Sequence, residues 1–352
     1  MSYKTLKKFK KFFDGDENFK DEELIINNFK YNKCKLPLIN KSSEVFFLDS
    51  GSYAFIYKTN IGKIPIAIRI ASFERSLKDE NETEYLIYKL LYKKFEENNF
   101  IHIPILYDSF QCNYNDKRDK VNVLLLKLLK KEKYYKFTYR ITIMEYLPLG
   151  DLGTYLLENL KPINDEFLTK IYLQILIILY FLNTKVFGYY HNDLHLKNFL
   201  IRENPKNTLN YVFTDFDINI DDIEITLLIN DFDYSEYLNK IDPIINKKVI
   251  SAKFPVFRDG NFVDLFKVTN YFLNNFFEYI SDDLKNVMYF VVPKELIGKK
   301  IKMDDLTIIS YHNILLKRNH KIFQKYFKNG IPIIDHLFRS DVFSKYFTFK
   351  NK

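Results

Sequence analysis

The strongest constraint on the fold of this chain is a long apolar run followed by a short polar segment. Residues Ile171–Leu182 (IYLQILIILYFL) are typical of a buried helix. The polar segment His191–Asn198 (HNDLHLKN) follows, and the strand-like run Phe199–Ile201 comes directly after it. This placement between a core helix and a core strand favours a functional loop over an ordinary polar turn.

The polar segment and a downstream carboxylate supply a candidate base and two candidate metal ligands. Asp193 can position an attacking hydroxyl, and Asn198, five residues later, can return its amide oxygen to a metal ion. Asp231 follows the apolar run Ile225–Ile229, which predicts a buried strand that directs the carboxylate into the same site. Transfer of a γ-phosphoryl group from ATP requires these groups, because magnesium neutralises the phosphate oxygens while a carboxylate orients the acceptor.

Two Asp-Phe-Asp triplets compete for the second metal-ligand position. Asp215–Asp217 and Asp231–Asp233 begin 17 and 33 residues beyond Asn198. Only the second follows a continuous apolar run, so Asp231 is the preferred ligand. The first triplet is predicted to lie in an inserted hairpin.

The loop spelling resembles the catalytic loop of protein kinases, HRDxxxxN, with DFG downstream; here the pieces are HND, four residues, Asn and DFD. The chain is similar to haspin-like kinases and to the serine/threonine kinases of large DNA viruses such as poxviruses in three features. These are the long insert before Asp231, the Asp-Leu-His sequence in the loop and the departure from DFG. The resemblance covers most of residues 45–280. It implies an α+β, bilobal protein-kinase-like fold: an N-terminal extension at 1–41, a β-rich N-lobe at 42–145 and a mostly helical C-lobe at 146–352.

Two features of the predicted N-lobe resemble the phosphate-binding elements of kinases. Residues 48–58 (LDSGSYAFIYK) resemble the glycine-rich loop, in which Ser50, Gly51 and Ser52 would cover the ATP phosphates, although only the middle glycine is present. Residues 64–70 (IPIAIRI) resemble the strand that carries the phosphate-bridging lysine, with Arg69 at that position.

A helix glutamate is expected to pair with Arg69. In the segment 81–91 (NETEYLIYKLL), apolar residues recur at helical spacing, and Glu84 stands three residues before one of them. Glu84 is therefore the preferred partner, and Glu82 is the second candidate.

Residues 141–151 (ITIMEYLPLGD) resemble a kinase hinge, an apolar strand that stops at a Pro-Leu-Gly turn. The resemblance implies that backbone groups of Glu145 and Leu147 bind adenine, that Met144 is the gatekeeper and that Asp151 reaches the ribose. Four apolar residues would sandwich the base: Leu48, Ile56, Ala67 and Leu200. The same residues would serve equally well in an ordinary core.

The resemblance extends to three further elements of the large lobe. His195 and Lys197 occupy the stretch where serine/threonine kinases place a phosphate-facing lysine; Lys197 is the candidate catalytic residue, and the choice between the two stays open. Asp264 resembles the buried aspartate that braces the catalytic loop, with backbone amides near His191 as its expected partners. Phe343 and Phe347 resemble the aromatic-rich closing helix.

These features together predict an ATP- and Mg²⁺-dependent serine/threonine protein kinase whose substrate is a protein hydroxyl. A small-molecule kinase of the aminoglycoside or choline type remains an alternative, because such enzymes carry a similar loop. A pseudokinase scaffold is the other alternative, because Arg69 replaces the usual lysine. Residue 192 is asparagine where many regulated kinases carry arginine, so activity independent of activation-segment phosphorylation is expected.

Composition limits the remaining functional classes. The net charge of +8 and pI near 9.0 come from scattered lysines balanced by 45 acidic residues, and no nucleic-acid signature accompanies them. Two cysteines, the lack of a signal-peptide core and the shortness of the apolar run predict a cytoplasmic monomer without a membrane span. The abundance of Phe, Tyr, Ile, Asn and Lys is typical of an AT-rich genome and agrees with a viral origin, in which case host cytoplasm or virion is expected.

Overall fold

The structure is a computed structural model that describes about three fifths of the chain. The described residues are 7, 10, 20–21, 24–25, 45–50, 54–61, 64–73, 78–113, 138–159, 164–238, 244, 260–292, 294 and 330–350. They form two compact units: Met1–Pro148 with Asn246–Lys248, and Leu149–Ile245 with Val249–Lys352. Both strands and helices are well represented, and the sheets are antiparallel, so the fold class is α+β.

The first unit is built on a five-stranded antiparallel sheet with the order β3-β4-β5-β7-β6. Its strands are β3 (Phe46–Ser50), β4 (Ala54–Ile61), β5 (Ile64–Phe73), β6 (Leu106–Asn113) and β7 (Thr138–Glu145). A separate two-stranded ribbon pairs β1 (Lys20–Asp21) with β2 (Leu24–Ile25). In the central strand β5, isoleucines occupy every second position from 64 to 70 and all four are buried, so this face of the strand packs on a core.

One long helix accompanies this sheet. Helix α1 (Lys78–Glu97) buries Ile87, Leu91 and Phe95 completely, and these residues lie on one helical face at spacings of four. Their burial explains why a segment with many charged residues forms a stable helix, since its remaining surface can stay in water.

The second unit has a central helix, α3 (Asp165–Lys185), that contains the apolar run predicted from the sequence. Asn164 caps its first turn by accepting from the Phe167 amide at 2.8 Å, and Lys185 lies near its C-terminus, where a cation is favourable. The helix is long and apolar enough to cross a membrane by length and composition, but 83% of its most apolar window is buried inside the protein. It is therefore the core helix of this unit.

The other helices in the described part of this unit are all shorter than α3, and the longest of them is α4. They are α2 (Leu152–Glu158), α4 (Gly260–Phe276), α5 (Asp282–Tyr289), α6 (Gly330–Phe338) and α7 (Asp341–Ser344).

Three small antiparallel sheets complete the second unit. They pair β8 (Tyr189–Tyr190) with β13 (Glu236–Tyr237), pair β9 (Phe199–Glu203) with β12 (Ile225–Ile229), and order β10 (Thr208–Val212), β11 (Phe216–Asp221) and β14 (Phe347–Phe349) side by side. Strand β12 is buried along its full length, as its uninterrupted apolar sequence predicts.

A buried glutamine connects the central helix to strand β12. Gln174 is fully buried; its Nε2 donates to the Ile225 carbonyl at 3.2 Å and its Oε1 accepts from the Leu227 amide at 3.0 Å. The only polar residue of the apolar run thus hydrogen-bonds the strand backbone on the side opposite β9.

The C-terminal aromatic residues differ from the expectation of one closing helix. Phe343 is fully buried in α7, but Phe347 begins strand β14 and pairs with Ile218 of β11. The sequence reading was wrong here, because the alternation Phe-Thr-Phe fits a strand and the pairing partner lies more than a hundred residues away.

Candidate functional site

The polar segment forms a loop between two short strands of the second unit. Strand β8 leads into His191, a 3₁₀ turn spans Leu196–Asn198, and β9 leads out. Asn192 has a φ of 65°, a left-handed conformation that asparagine tolerates better than most residues. The loop is therefore anchored at both ends and turns sharply next to Asp193.

A buried aspartate from helix α4 holds the start of this loop. Asp264 is 1% exposed, and its Oδ2 accepts a hydrogen bond from the His191 amide at 2.9 Å. Burial raises the pKa of the Asp264 carboxyl, while the charges of His191 and Lys267 and the bound amides oppose that rise. The predicted contact between Asp264 and the backbone near His191 is confirmed.

Asp193 and Asn198 are joined directly. The Asn198 Nδ2 donates to the Asp193 carbonyl oxygen at 2.9 Å, and the Asn198 side chain is buried. Because the amide nitrogen is used in this bond, the amide oxygen, which is the atom a cation would bind, is directed away from the Asp193 backbone.

Asp231 lies beside Asn198 because of the register between β9 and β12. Ile229 pairs with Phe199, and the Asn230 amide donates to the Asn198 carbonyl at 2.9 Å. Asp231 comes next, with a φ of 60°. The three side chains that the sequence singled out, at positions 193, 198 and 231, are thus brought to one place.

The following phenylalanine locks this arrangement to the loop. Phe232 is almost completely buried, and its ring lies 5.9 Å from the His191 ring, between centroids. His191 also makes a hydrogen bond from Nε2 to the Asn230 carbonyl at 3.0 Å. His191 therefore contacts the two residues that flank Asp231, Asn230 and Phe232. These contacts fix the position of the backbone from which the Asp231 side chain extends.

The site carries a concentration of negative charge that a cation would relieve. The Asp231 side chain is solvent-accessible yet flanked by protein; this desolvation and the neighbouring Asp233 carboxylate raise the pKa of Asp231, with a smaller contribution from Asp193. Burial lowers the pKa of His195, whose Nε2 lies 3.8 Å from the Asp193 Oδ2. Histidine is therefore favoured in its neutral form here.

The oxygen donors at this site suit magnesium better than zinc. Among the described residues, no group of three or more His, Cys, Asp or Glu side chains is arranged to hold a metal ion. Magnesium needs no such group, because it keeps several waters and is bound through one or two carboxylates together with substrate phosphates. The Asp231 carboxylate and the Asn198 amide oxygen fit that requirement.

Two lysines near the loop differ in their surroundings. Lys197 is exposed, and its stem lies against Gly153 of helix α2. Lys267 of helix α4, which sequence reasoning missed, donates to the Asn192 carbonyl at 2.5 Å and to the Asp193 Oδ1 at 3.3 Å. Its spacing of three residues from Asp264 was the available signal, since residues i and i+3 share a helical face.

In the first unit, Arg69 and Glu84 form a partly buried ion pair. The Arg69 Nη2 lies 2.5 Å from the Glu84 Oε2, and their side chains are 18% and 12% exposed. This confirms the pairing with Glu84; the Glu82 side chain lies outside the described residues.

Several predicted nucleotide-binding residues share one face of the five-stranded sheet. Ile56 pairs with Arg69 across β4 and β5, and Ala67 pairs with Met144 across β5 and β7. Cross-strand partners and residues two positions apart point to the same face, so these four residues lie together. Leu48, on β3, is 40% exposed. Gly51, Ser52 and the Ser50 side chain lie outside the described residues.

Glu145, in the hinge-like segment, is bound twice to a single residue. Its amide donates to the Ile105 carbonyl at 3.0 Å, and its buried carboxylate accepts from the Ile105 amide at 3.1 Å. Leu147 follows and is half-buried. The carboxylate and the amide of Glu145 therefore both hold the strand end in place, and adenine binding by the backbone of Glu145 and Leu147 stays a prediction.

Asp151 and Leu200 lie next to each other in the second unit. They form an isolated antiparallel bridge, and the Ile201 amide donates to the Gly150 carbonyl at 3.0 Å. The Asp151 carboxylate caps helix α2 by accepting from the Thr154 amide at 2.9 Å and from its hydroxyl at 2.8 Å. Any contact with a ribose has to compete with these two bonds.

The first Asp-Phe-Asp triplet lies away from the loop, in the hairpin of β10 and β11, as predicted. Phe216 is buried among aromatic rings that include Phe338, and Asp217 forms an ion pair with Lys350 at 2.8 Å. Asp217 therefore has a structural partner, and Asp231 remains the better metal ligand.

Comparisons with known proteins add no relative. The chain matches no protein-family model, and a search of curated proteins found no similar sequence.

Proposed function

We propose that this protein transfers the γ-phosphoryl group of ATP to a serine or threonine hydroxyl of a protein substrate. The observation that carries the proposal is the meeting of Asp193, Asn198 and Asp231 at the ends of one strand pair, through the bonds from Asn198 to Asp193 and from Asn230 to Asn198. Phosphoryl transfer depends mainly on positioning and charge neutralisation, and these three groups supply a base and two oxygen ligands.

Each of the three groups has a separate role in the proposal. Asp193 orients the acceptor hydroxyl and accepts its proton, while Asn198 and Asp231 hold magnesium. When bound, magnesium neutralises the phosphate oxygens. Asp264 and Phe232 keep the loop and the Asp231 backbone in position; they do not touch the substrate.

We further propose that the two units are the N-lobe and the C-lobe of a bilobal protein-kinase-like fold. The five-stranded antiparallel sheet with helix α1 supports this for the first unit, and the largely helical composition supports it for the second. The Arg69–Glu84 pair adds to it, because a cation held by a helix carboxylate is the arrangement that kinases use to bind the α and β phosphates.

The decisive experiment is a transfer assay with radiolabelled ATP and magnesium on the full chain. Protein mixtures, small alcohols and aminoglycosides are offered in parallel as acceptors. Asp193→Asn is expected to lower the rate by about 10²- to 10⁴-fold, because the general base is lost. Asp282→Asn, at a carboxylate that is almost fully exposed in helix α5, serves as the matched control and keeps the wild-type rate.

Three results would contradict parts of this proposal. No transfer by the wild type to any acceptor would remove the kinase assignment and favour a pseudokinase scaffold. Transfer only to small alcohols or aminoglycosides would replace the protein substrate with a small molecule. An unchanged rate in Asp193→Asn would remove this residue as the base.

The identity of residue 69 is the specific observation in favour of the scaffold alternative. Arginine keeps the positive charge, but its planar guanidinium is bulkier than an ammonium group. Its ion pair with Glu84 supports the view that arginine can take the place of that lysine. Comparison of Arg69→Lys with the wild type in the same assay decides whether arginine limits the rate or is adapted to this site.

A further inference from the structure

We propose that Lys267, on helix α4, is the positioning residue for the Asp193 carboxylate. The inference rests on the proposed function for its kinetic consequence, but its structural part stands on contacts within one unit. The family resemblance implied a different task for His195 or Lys197, that of facing the phosphate, and assigned no residue to hold the Asp193 carboxylate.

The first support is the pair of bonds that Lys267 makes. Its Nζ donates to the Asn192 carbonyl at 2.5 Å and to the Asp193 Oδ1 at 3.3 Å, so one ammonium group holds the backbone and the side chain of adjacent residues. An ammonium group with two such acceptors restricts the rotation of the Asp193 side chain. A carboxylate that must meet a hydroxyl hydrogen in one orientation benefits from this restriction.

The second support is the shared face of helix α4. Asp264 and Lys267 are one helical turn apart; the aspartate accepts from the His191 amide, and the lysine donates to the Asn192 carbonyl. Helix α4 therefore holds two successive loop residues: the Asp264 carboxylate binds the amide of the first, His191, and the Lys267 ammonium group binds the carbonyl of the second. Asn192, between them, has the left-handed φ of 65°, and the two bonds on either side oppose its relaxation.

The third support is the surroundings of the other cations. Lys197 is exposed, and the His195 Nε2 lies 3.8 Å from the Asp193 Oδ2, beyond hydrogen-bond distance. Lys267 is 20% exposed, so its charge is partly shielded from water. Among the described residues near the loop, Lys267 is thus the cation best placed to hold Asp193.

The test compares Lys267→Met and Lys267→Arg with a matched control. Lys285→Met removes a lysine that is 14% exposed and contacts Asp282 of its own helix at 3.2 Å, so the lysine resembles Lys267 in burial and in donor distance, while its acceptor is not a loop residue. Two quantities are measured on the full chain: hydrogen exchange of the loop amides at 192–194, and kcat with the KM for ATP.

Lys267→Met is expected to exchange these amides faster and to lower kcat by about 10- to 100-fold, since a misplaced catalytic group costs this much. The KM for ATP should change by less than about threefold, because the lysine holds the base and not the nucleotide. Lys267→Arg keeps the charge and the donors and should recover at least part of kcat. Lys285→Met should match the wild type in both measurements.

Wild-type exchange and wild-type kcat in Lys267→Met would overturn the inference. So would equal losses in Lys267→Met and Lys267→Arg, since the effect would then not depend on the positive charge and its donors. If Lys267→Met does not fold, Lys267→Gln, which keeps a donor without the charge, takes its place with the same expected direction. If the wild type transfers no phosphate, the kinase proposal fails, and the exchange comparison alone still decides whether Lys267 holds the loop.

Discussion

Replacement of Gln174 by methionine should destabilise the second unit without leaving a cavity, because the two side chains have similar length and volume. The substitution removes the partners of the Ile225 carbonyl and the Leu227 amide, both in a fully buried strand. Loss of a buried hydrogen-bond partner costs about 1.5–2 kcal/mol, so loss of the two bonds to Gln174 costs about 3–4 kcal/mol. Burial of a thioether in place of an amide offsets roughly 1 kcal/mol. The expected loss is about 2–3 kcal/mol.

The assay is urea unfolding followed by circular dichroism, with Gln174→Glu as the control. A protonated glutamate can donate to Ile225 and accept from Leu227, whereas an ionised one cannot donate. Burial raises the pKa of such a carboxyl above its unfolded value of about 4.3. The contribution of this carboxyl to the free energy of unfolding, relative to the wild type at the same pH, is therefore fully present below about pH 4. It is lost as the pH rises through the folded-state pKa.

A loss below about 0.5 kcal/mol in Gln174→Met would refute the reasoning, since ordinary surface substitutions cost that much. A Gln174→Glu variant whose relative stability does not fall with rising pH would also refute it. Strand β12 leads directly to the candidate metal ligand Asp231, so a confirmed loss would show that the core helix supports the site through one side chain.

Two further predictions concern the backbone and the charge of the site. Gly188 has a φ of 88°, and an added Cβ would lie 2.6 Å from the Leu238 carbonyl oxygen. At Gly150, φ is 68° but the space is open, so only the conformational cost of about 1 kcal/mol applies. Gly188→Ala should therefore lower the urea midpoint clearly more than Gly150→Ala, and equal midpoints would contradict this. The pKa of Asp231 is raised in the folded protein, so its contribution to stability is present below about pH 4 and is lost as the pH rises through that pKa. Urea midpoints measured without magnesium should therefore favour Asp231→Asn increasingly over the wild type from pH 4 to pH 7, and the opposite trend would contradict the assigned shift.

The local parts of the site could be predicted from the sequence because they depend on short-range patterns. The apolar run that became α3, the strand before Asp231 and the polar loop between core elements each follow from periodicity and spacing. The Arg69–Glu84 pair and the Asp264 contact were also predicted, but from resemblance to a family and not from periodicity.

The parts that were missed depend on packing between distant segments. Lys267 contacts Asp193 across 74 positions, and Gln174 contacts Leu227 across 53, so local periodicity cannot identify either contact. For Lys267, the helical spacing from Asp264 indicates only that the two residues share a face. Phe347 was assigned to a helix by resemblance to a closing helix, and its strand partner Ile218 lies 129 positions earlier (347−218). Side-chain chemistry could suggest that such residues need partners, but only the tertiary fold determines which partners they find.

The pairing of β14 with β11 has a consequence for how quickly the protein can fold. Residues 218 and 347 enclose 129 positions of chain (347−218), and closing a flexible loop of that length costs about 4 kcal/mol of entropy before any contact compensates it. Contacts of such long range form late, so the rings of Phe216 and Phe338 should stay accessible to solvent and to chaperones during refolding. The native aromatic cluster is thus expected to be the slowest part of the second unit to assemble and the part most prone to aggregate on the way.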